Sequence, residues 1–188
     1  MSATIFALHR TTLFFLACLA FIPLHAAAWD RGKAELFATL PDGVRFPEGI
    51  TANPASGDIF VGTFNAGSPD NRLLRFDRRG RLEASRAFGT TPLLGLAFDR
   101  DQRKVYIAAV GDFSGTGSRI VRIAANFDAN TAIEEVAPIP AIGAPGPRVV
   151  PNPDGSSDTI TFGPGARVPN ALTFDRHGNL YVSDSFQG

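Results

Sequence analysis

Beyond its first 28 residues this 188-residue chain contains no cysteine and no methionine, and its one histidine is His177. Without a thiol there can be no disulfide and no cysteine nucleophile, whatever the redox compartment. One imidazole is too few for a zinc site of His and Cys ligands. Any Ser-His-Asp arrangement would have to run through His177. Charge of one sign is lacking too. With Arg10 set aside, 17 Lys plus Arg face 18 Asp plus Glu, so neither a basic face for nucleic acid nor an acidic tail is indicated. Nor does the sequence after the leader hold three helical turns with apolar residues at i, i+3, i+4 and i+7. What remains for chemistry is carboxylate and amide oxygen.

The opening 28 residues read as a secretory signal. Arg10 supplies the positive region, Thr11 to Leu24 an apolar stretch, and Ala26-Ala27-Ala28 a small-residue cleavage site before Trp29. The apolar stretch is too short for a stable membrane span. Cys18 is followed by more apolar sequence, which argues against a lipoprotein. The expected product is residues 29–188, secreted or periplasmic, with no membrane association after cleavage.

Within 29–188 the sequence repeats. Arg45-Phe46-Pro47-Glu48-Gly49-Ile50-Thr51 returns at an offset of 122 as Arg167-Val168-Pro169-Asn170-Ala171-Leu172-Thr173, and Pro92-Leu93-Leu94-Gly95-Leu96-Ala97 lies between them. A polar turn and a second apolar run follow each copy. Arg72-Leu73-Leu74-Arg75-Phe76 likewise matches Arg119-Ile120-Val121-Arg122-Ile123. Short apolar runs broken by Gly, Pro, Asn and Asp predict an all-β fold. Four strands in 40 to 50 residues is the size of one propeller blade.

The predicted organisation is therefore a β-propeller of four-stranded antiparallel blades. It comprises a blade over 46–88, a blade over 93–138, a Pro/Gly-rich insert over 139–167 and a partial blade over 168–188. An insert this long is expected to be a lid or disordered, and Asp154 to Asp158 within it to be disordered. Ser114 to Ser118 is expected to be a flexible tip, because no helix follows to make its glycines a phosphate cradle. The third blade stops after two strands. About two and a half blades are present where closure takes four or more, so the chain is expected to be the N-terminal part of a longer protein.

Equivalent positions of the repeat carry Glu48, Leu94 and Asn170. If each opens an innermost strand, they converge at one rim from neighbouring blades. Glu48 and Asn170 offer hard oxygen ligands suited to calcium, magnesium or manganese and usable by zinc. The residues alone leave a second reading open, in which Glu48 ends a loop in water and Asn170 caps a turn. Arg45 and Arg167 precede the two positions and could bind an anionic substrate group or stand as solvated charges. His177, in the turn Asp175-Arg176-His177-Gly178-Asn179, reads as a surface turn residue.

The motifs Phe46-Pro47-Glu48-Gly49 and Val168-Pro169-Asn170-Ala171-Leu172-Thr173-Phe174-Asp175, continuing through Gly178-Asn179-Leu180-Tyr181-Val182-Ser183-Asp184, resemble the senescence marker protein and gluconolactonase family of six-bladed propellers. The resemblance covers residues 40 to 188, about the first half of a full member. It implies a sugar-lactone hydrolase in which Glu48 and Asn170 match metal-ligand positions. It further implies ester hydrolysis assisted by a divalent metal, with a small-molecule lactone as substrate. The family's general-base aspartate would lie beyond Gly188, and Asp184 ends a strand rather than opening one. The chain also carries Ala171 where the family has glycine. The expectation is thus a lactonase-like propeller, inactive as it stands. The alternatives are a non-catalytic propeller that binds a ligand or protein at its rim, and an inactive truncation product.

Overall fold

The computed structural model describes residues 34–112, 116–143, 145–161 and 166–187, so the secretory signal expected over 1–28 lies outside the described residues. The described residues contain strands and turns and no helix. In chain order the strands are β1 (Pro47–Ala52), β2 (Ile59–Thr63), β3 (Asn71–Phe76), β4 (Leu82–Gly89), β5 (Leu93–Asp99), β6 (Lys104–Ala109), β7 (Arg119–Ala124), β8 (Glu134–Pro138), β9 (Arg148–Pro151), β10 (Ser157–Ile160), β11 (Pro169–Phe174) and β12 (Leu180–Asp184). The all-β expectation holds, with most strand bounds within a residue or two. The largest difference is the start of β8, expected at Ala132. A closed turn occupies that stretch: Asp128 Oδ1 accepts from the Asn130 amide at 2.8 Å and from Thr131 Oγ1 at 2.9 Å.

Strands β1 to β4 form one antiparallel sheet and β5 to β8 a second, each pairing neighbours in chain order, while β11 pairs with β12 and β9 with β10. Turn chemistry explains the meander. In Asp77-Arg78-Arg79-Gly80-Arg81 the Asp77 carboxylate accepts the amides of Arg79 (2.8 Å) and Arg81 (2.9 Å). Gly80 takes φ of 78°, which a side chain would resist. Asp175 repeats the device, accepting the amides of His177 and Asn179.

The sheets stack on two apolar layers. Phe60 and Leu73 of the first sheet meet Leu93, Val105, Ile107 and Val121 of the second, with Phe60 stacked on Phe98 at 5.9 Å between ring centres. The opposite face of the second sheet places Tyr106, Ala108 and Ile120 against Leu172, Phe174 and Leu180. There Tyr106 meets Phe174 edge-on at 5.1 Å. Because β6 is covered on both faces, it reads as Val105-Tyr106-Ile107-Ala108-Ala109, apolar throughout rather than alternating. The outer face of the first sheet, Val61, Leu74 and Phe76, is covered by Ala38, Leu40 and Val44.

Each fully buried Phe, Leu or Ile side chain contributes roughly 1.5–3 kcal/mol. The exposed pairs Arg81–Asp77 and Lys104–Glu134 are of a kind that contributes about 0–1 kcal/mol. Packing between sheets, not ion pairing, holds the stack together.

Two expectations for loops are corrected. Residues 148–160 of the insert form the β9–β10 hairpin, and Asp154 to Asp158 is ordered by its turn: the Asn152 amide donates to Ser156 O at 2.9 Å, and Ser156 Oγ to Asp154 Oδ1 at 2.6 Å. Alternating Val149, Val150 and Ile160 with a Gly155 turn is enough to make a hairpin. Of the tip expected at Ser114 to Ser118, Ser114 and Gly115 lie outside the described residues. Ser118 is buried: its Oγ accepts the Gly111 amide at 3.0 Å and donates to Arg167 O at 2.6 Å.

Candidate functional site

The hairpins β1–β2, β5–β6 and β11–β12 share one irregularity at one place. Pairing runs Pro47↔Thr63 then Ile50↔Val61, Leu93↔Ala109 then Leu96↔Ile107, and Pro169↔Asp184 then Leu172↔Val182. The skipped residues, 48–49, 94–95 and 170–171, form a β-bulge, a device that re-aims a side chain. Each hairpin also closes with the same hydrogen bond before the bulge: Phe64 N to Phe46 O (2.9 Å), Val110 N to Pro92 O (2.9 Å) and Ser185 N to Val168 O (3.0 Å).

The bulges touch. A Cβ on Gly49 would run into the Leu94 carbonyl, and a Cβ on Gly95 into the Asn170 carbonyl. The absence of a side chain at these two positions lets one strand's backbone close on the next. The strand openings therefore succeed one another in the order Glu48, Leu94, Asn170. Ala171 stands where the first two hairpins have glycine.

Glu48 and Asn170 are both exposed. Asn170 Nδ2 donates to Ser185 Oγ at 2.7 Å, and the Ala171 amide donates to Ser183 Oγ at 3.0 Å. Leu94, expected on the rim, is instead buried among Tyr106, Ala108 and Val110. Once the third hairpin covers the second sheet, the apolar side chain turns into that interface and leaves the polar positions on either side. Beside Glu48, Phe46 is held at φ of 56° immediately before Pro47. This is an unfavourable conformation for a bulky residue before proline, costing on the order of 1–3 kcal/mol.

The two arginines differ. Arg45 is exposed. Arg167 is half-buried, its Nη1 donates to Ile139 O at 3.3 Å and its carbonyl accepts from Ser118, so it fastens the foot of the insert. The other foot is held by Gln187, whose Oε1 accepts the Ile142 amide at 2.7 Å and whose Nε2 donates to Pro140 O at 3.1 Å. Both feet of the insert thus lie beside the opening of β11. Asp184 accepts the amides of Phe186 and Gln187, which makes it a turn cap. His177 is exposed in its turn, with Nδ1 3.8 Å from Asp175 Oδ2.

The carboxylates with shifted acidity lie away from the strand openings. Hydrogen bonding from the Arg81 backbone, and then its guanidinium, lowers Asp77 to about 2. Asp175 is lowered, first by the Asn179 side chain, and Glu134 first by Lys104. These shifts belong to turns and ion pairs.

Glu48 and Asn170 fit a hard cation in kind. Among the described residues, however, no group of three His, Cys, Asp or Glu side chains comes together to hold one. Two donors are short of the six to eight oxygens that calcium takes. Ser183 and Ser185 escaped the sequence reading. Their signal is the contrast with the equivalent residues, Gly62 and Ala108 for Ser183, Phe64 and Val110 for Ser185. No protein-family model matches the chain, and no curated protein matches it significantly.

Proposed function

We propose that the stacked sheets are successive blades of a propeller and that their strand-opening rim binds a divalent cation through Glu48 and Asn170. In this reading the chain is the first half of an exported sugar-lactone hydrolase. The supporting observation is the ordered backbone contact of the three bulges, which sets both oxygen donors along one end of the stack. A bound calcium, zinc, manganese or magnesium ion would supply Lewis acidity toward an ester carbonyl. Glu48 serves there as a ligand and not as a base, since coordination occupies its lone pairs, and Asn170 supplies Oδ1. Arg45 remains solvent-facing and could take an anionic group of the substrate.

No other described carboxylate opens an inner strand, so the 188-residue chain lacks a general base for attack by water. It is expected to bind the ion weakly and to show no lactonase turnover. Calorimetric titration of calcium, zinc and manganese into the protein and into Glu48→Gln tests this. Equal heats from both proteins remove Glu48 from the site. Lactone hydrolysis by this chain that depends on added metal would refute the assignment of the base. A second reading, a non-catalytic propeller that binds a ligand or protein at this rim, is favoured by buried, apolar Leu94 between the two donors.

A further inference from the structure

The third hairpin differs from its two equivalents at one pair of positions. Opposite the first bulge stand Gly62 and Phe64, opposite the second Ala108 and Val110, and opposite the third Ser183 and Ser185. Both serine hydroxyls are used. Ser183 Oγ accepts the amide of Ala171, and Ser185 Oγ accepts Asn170 Nδ2 at 2.7 Å. A bulge leaves an extra backbone amide without a ladder partner. Only in the third hairpin does a side chain take it up.

We infer that Ser185 is a positioning residue that fixes the orientation of the Asn170 amide, and that Ser183 holds the bulge on which Asn170 sits. An asparagine presents either an oxygen or an NH2 group, and the choice is made by what its other end bonds. With Nδ2 committed to Ser185, across the hairpin on β12, Oδ1 is left on the opposite side of the planar amide. Asn170 is thereby presented as an oxygen donor, the type a hard cation or an NH- or OH-bearing ligand requires. Valine or phenylalanine at this position, as in the other hairpins, could not make that choice. The inference rests on the proposed metal reading only for the identity of the ligand; the amide orientation stands apart from it.

The test has two arms, run on the full chain. Nuclear magnetic resonance spectra of the Asn170 side-chain NH2 pair are compared for the parent, Ser185→Ala, Ser185→Thr and Ser183→Ala. Calcium and manganese ions are then titrated into each. Ser185→Ala is expected to move the NH2 pair toward the freely rotating position and, if the ion binds, to weaken it 10- to 100-fold, the usual loss on removing an outer-shell partner. Ser185→Thr keeps the hydroxyl and is expected to restore both. Ser183→Ala is expected to leave the NH2 pair in place while speeding hydrogen exchange of the Ala171 amide. An unchanged NH2 pair in a folded Ser185→Ala protein overturns the inference. A shifted pair in a protein that binds neither ion supports the positioning role and sinks the metal reading instead.

Discussion

Asn71 is fully buried, and its amide does the work of several backbone groups. Its Oδ1 accepts the Asn65 amide at 2.7 Å, and Nδ2 donates to the carbonyls of Asn65, Ser68 and Gly89 at 3.0 to 3.2 Å. Ser118 holds the equivalent place in the second sheet, accepting the Gly111 amide. Asn71→Ala strands several buried polar groups and is expected to cost roughly 2–4 kcal/mol in urea unfolding, since each such group costs about 1–3 kcal/mol with partial relaxation. A loss below about 1 kcal/mol would mean that water replaces the amide. Asp77 gives a prediction in pH. Its carboxyl is lowered to about 2 from 3.8 by hydrogen bonds made in the folded state. The linked stability is complete above about pH 4 and is lost as pH falls toward 2. Asp77→Ala should therefore flatten the acid limb of a thermal-melting profile between pH 4 and 2, and an unchanged limb would rule out the turn as its source. Neither Asn71 nor Ser118 stands out in the sequence, because a polar residue opening a strand reads as a loop residue until its burial is known.

At the scale of elements, the hairpins were legible and their junctions were not. Alternating short apolar runs between Gly, Asn and Asp turns give the strands, and the repeat gives their equivalence. Contact between the bulges depends on what is missing at Gly49 and Gly95. Gly95→Ala places a methyl group against the Asn170 carbonyl and is expected to destabilise by about 1–3 kcal/mol or more, as overpacking does. Ala171→Gly meets no such contact and should change stability by no more than about 1 kcal/mol. Denaturant titration of both variants separates the two cases, and equal effects would show that the bulges do not touch. The β9–β10 hairpin is exposed at every residue. Brief native proteolysis should nick the chain within 148–160 before it cuts β5, β6 or β7. Mass mapping of the first fragments would show the order.

At the scale of the molecule, three sheets are stacked through two apolar layers, and the third sheet has two strands. In the first two sheets the edge of the second strand is covered by β3 and β7. In the third, the edge of β12 has no strand beside it among the described residues, and Tyr181 and Val182 on it are exposed. An uncovered edge of this kind templates strand addition. The protein is expected to self-associate as concentration rises, which sedimentation velocity would measure. Replacing Val182 with lysine should suppress the association, since an edge charge opposes pairing.

The sequence by itself determined the all-β class, the threefold recurrence of the hairpin, and the equivalence of Glu48, Leu94 and Asn170, because periodicity and turn chemistry are local properties. It also excluded cysteine chemistry and histidine-rich metal sites, since those require residues the chain does not have. The tertiary structure decided where equivalent residues end up. Leu94 turns into the layer between sheets because an apolar side chain gains by leaving water once a third hairpin covers it. Asn170 is braced by hydroxyls two strands' width of sequence away, a pairing that only hairpin register creates. Arg167 and Gln187 hold the feet of the insert through backbone carbonyls and amides that no residue pattern marks. Contacts between distant segments depend on how the sheets stack, and stacking is a property of the whole core rather than of any one repeat.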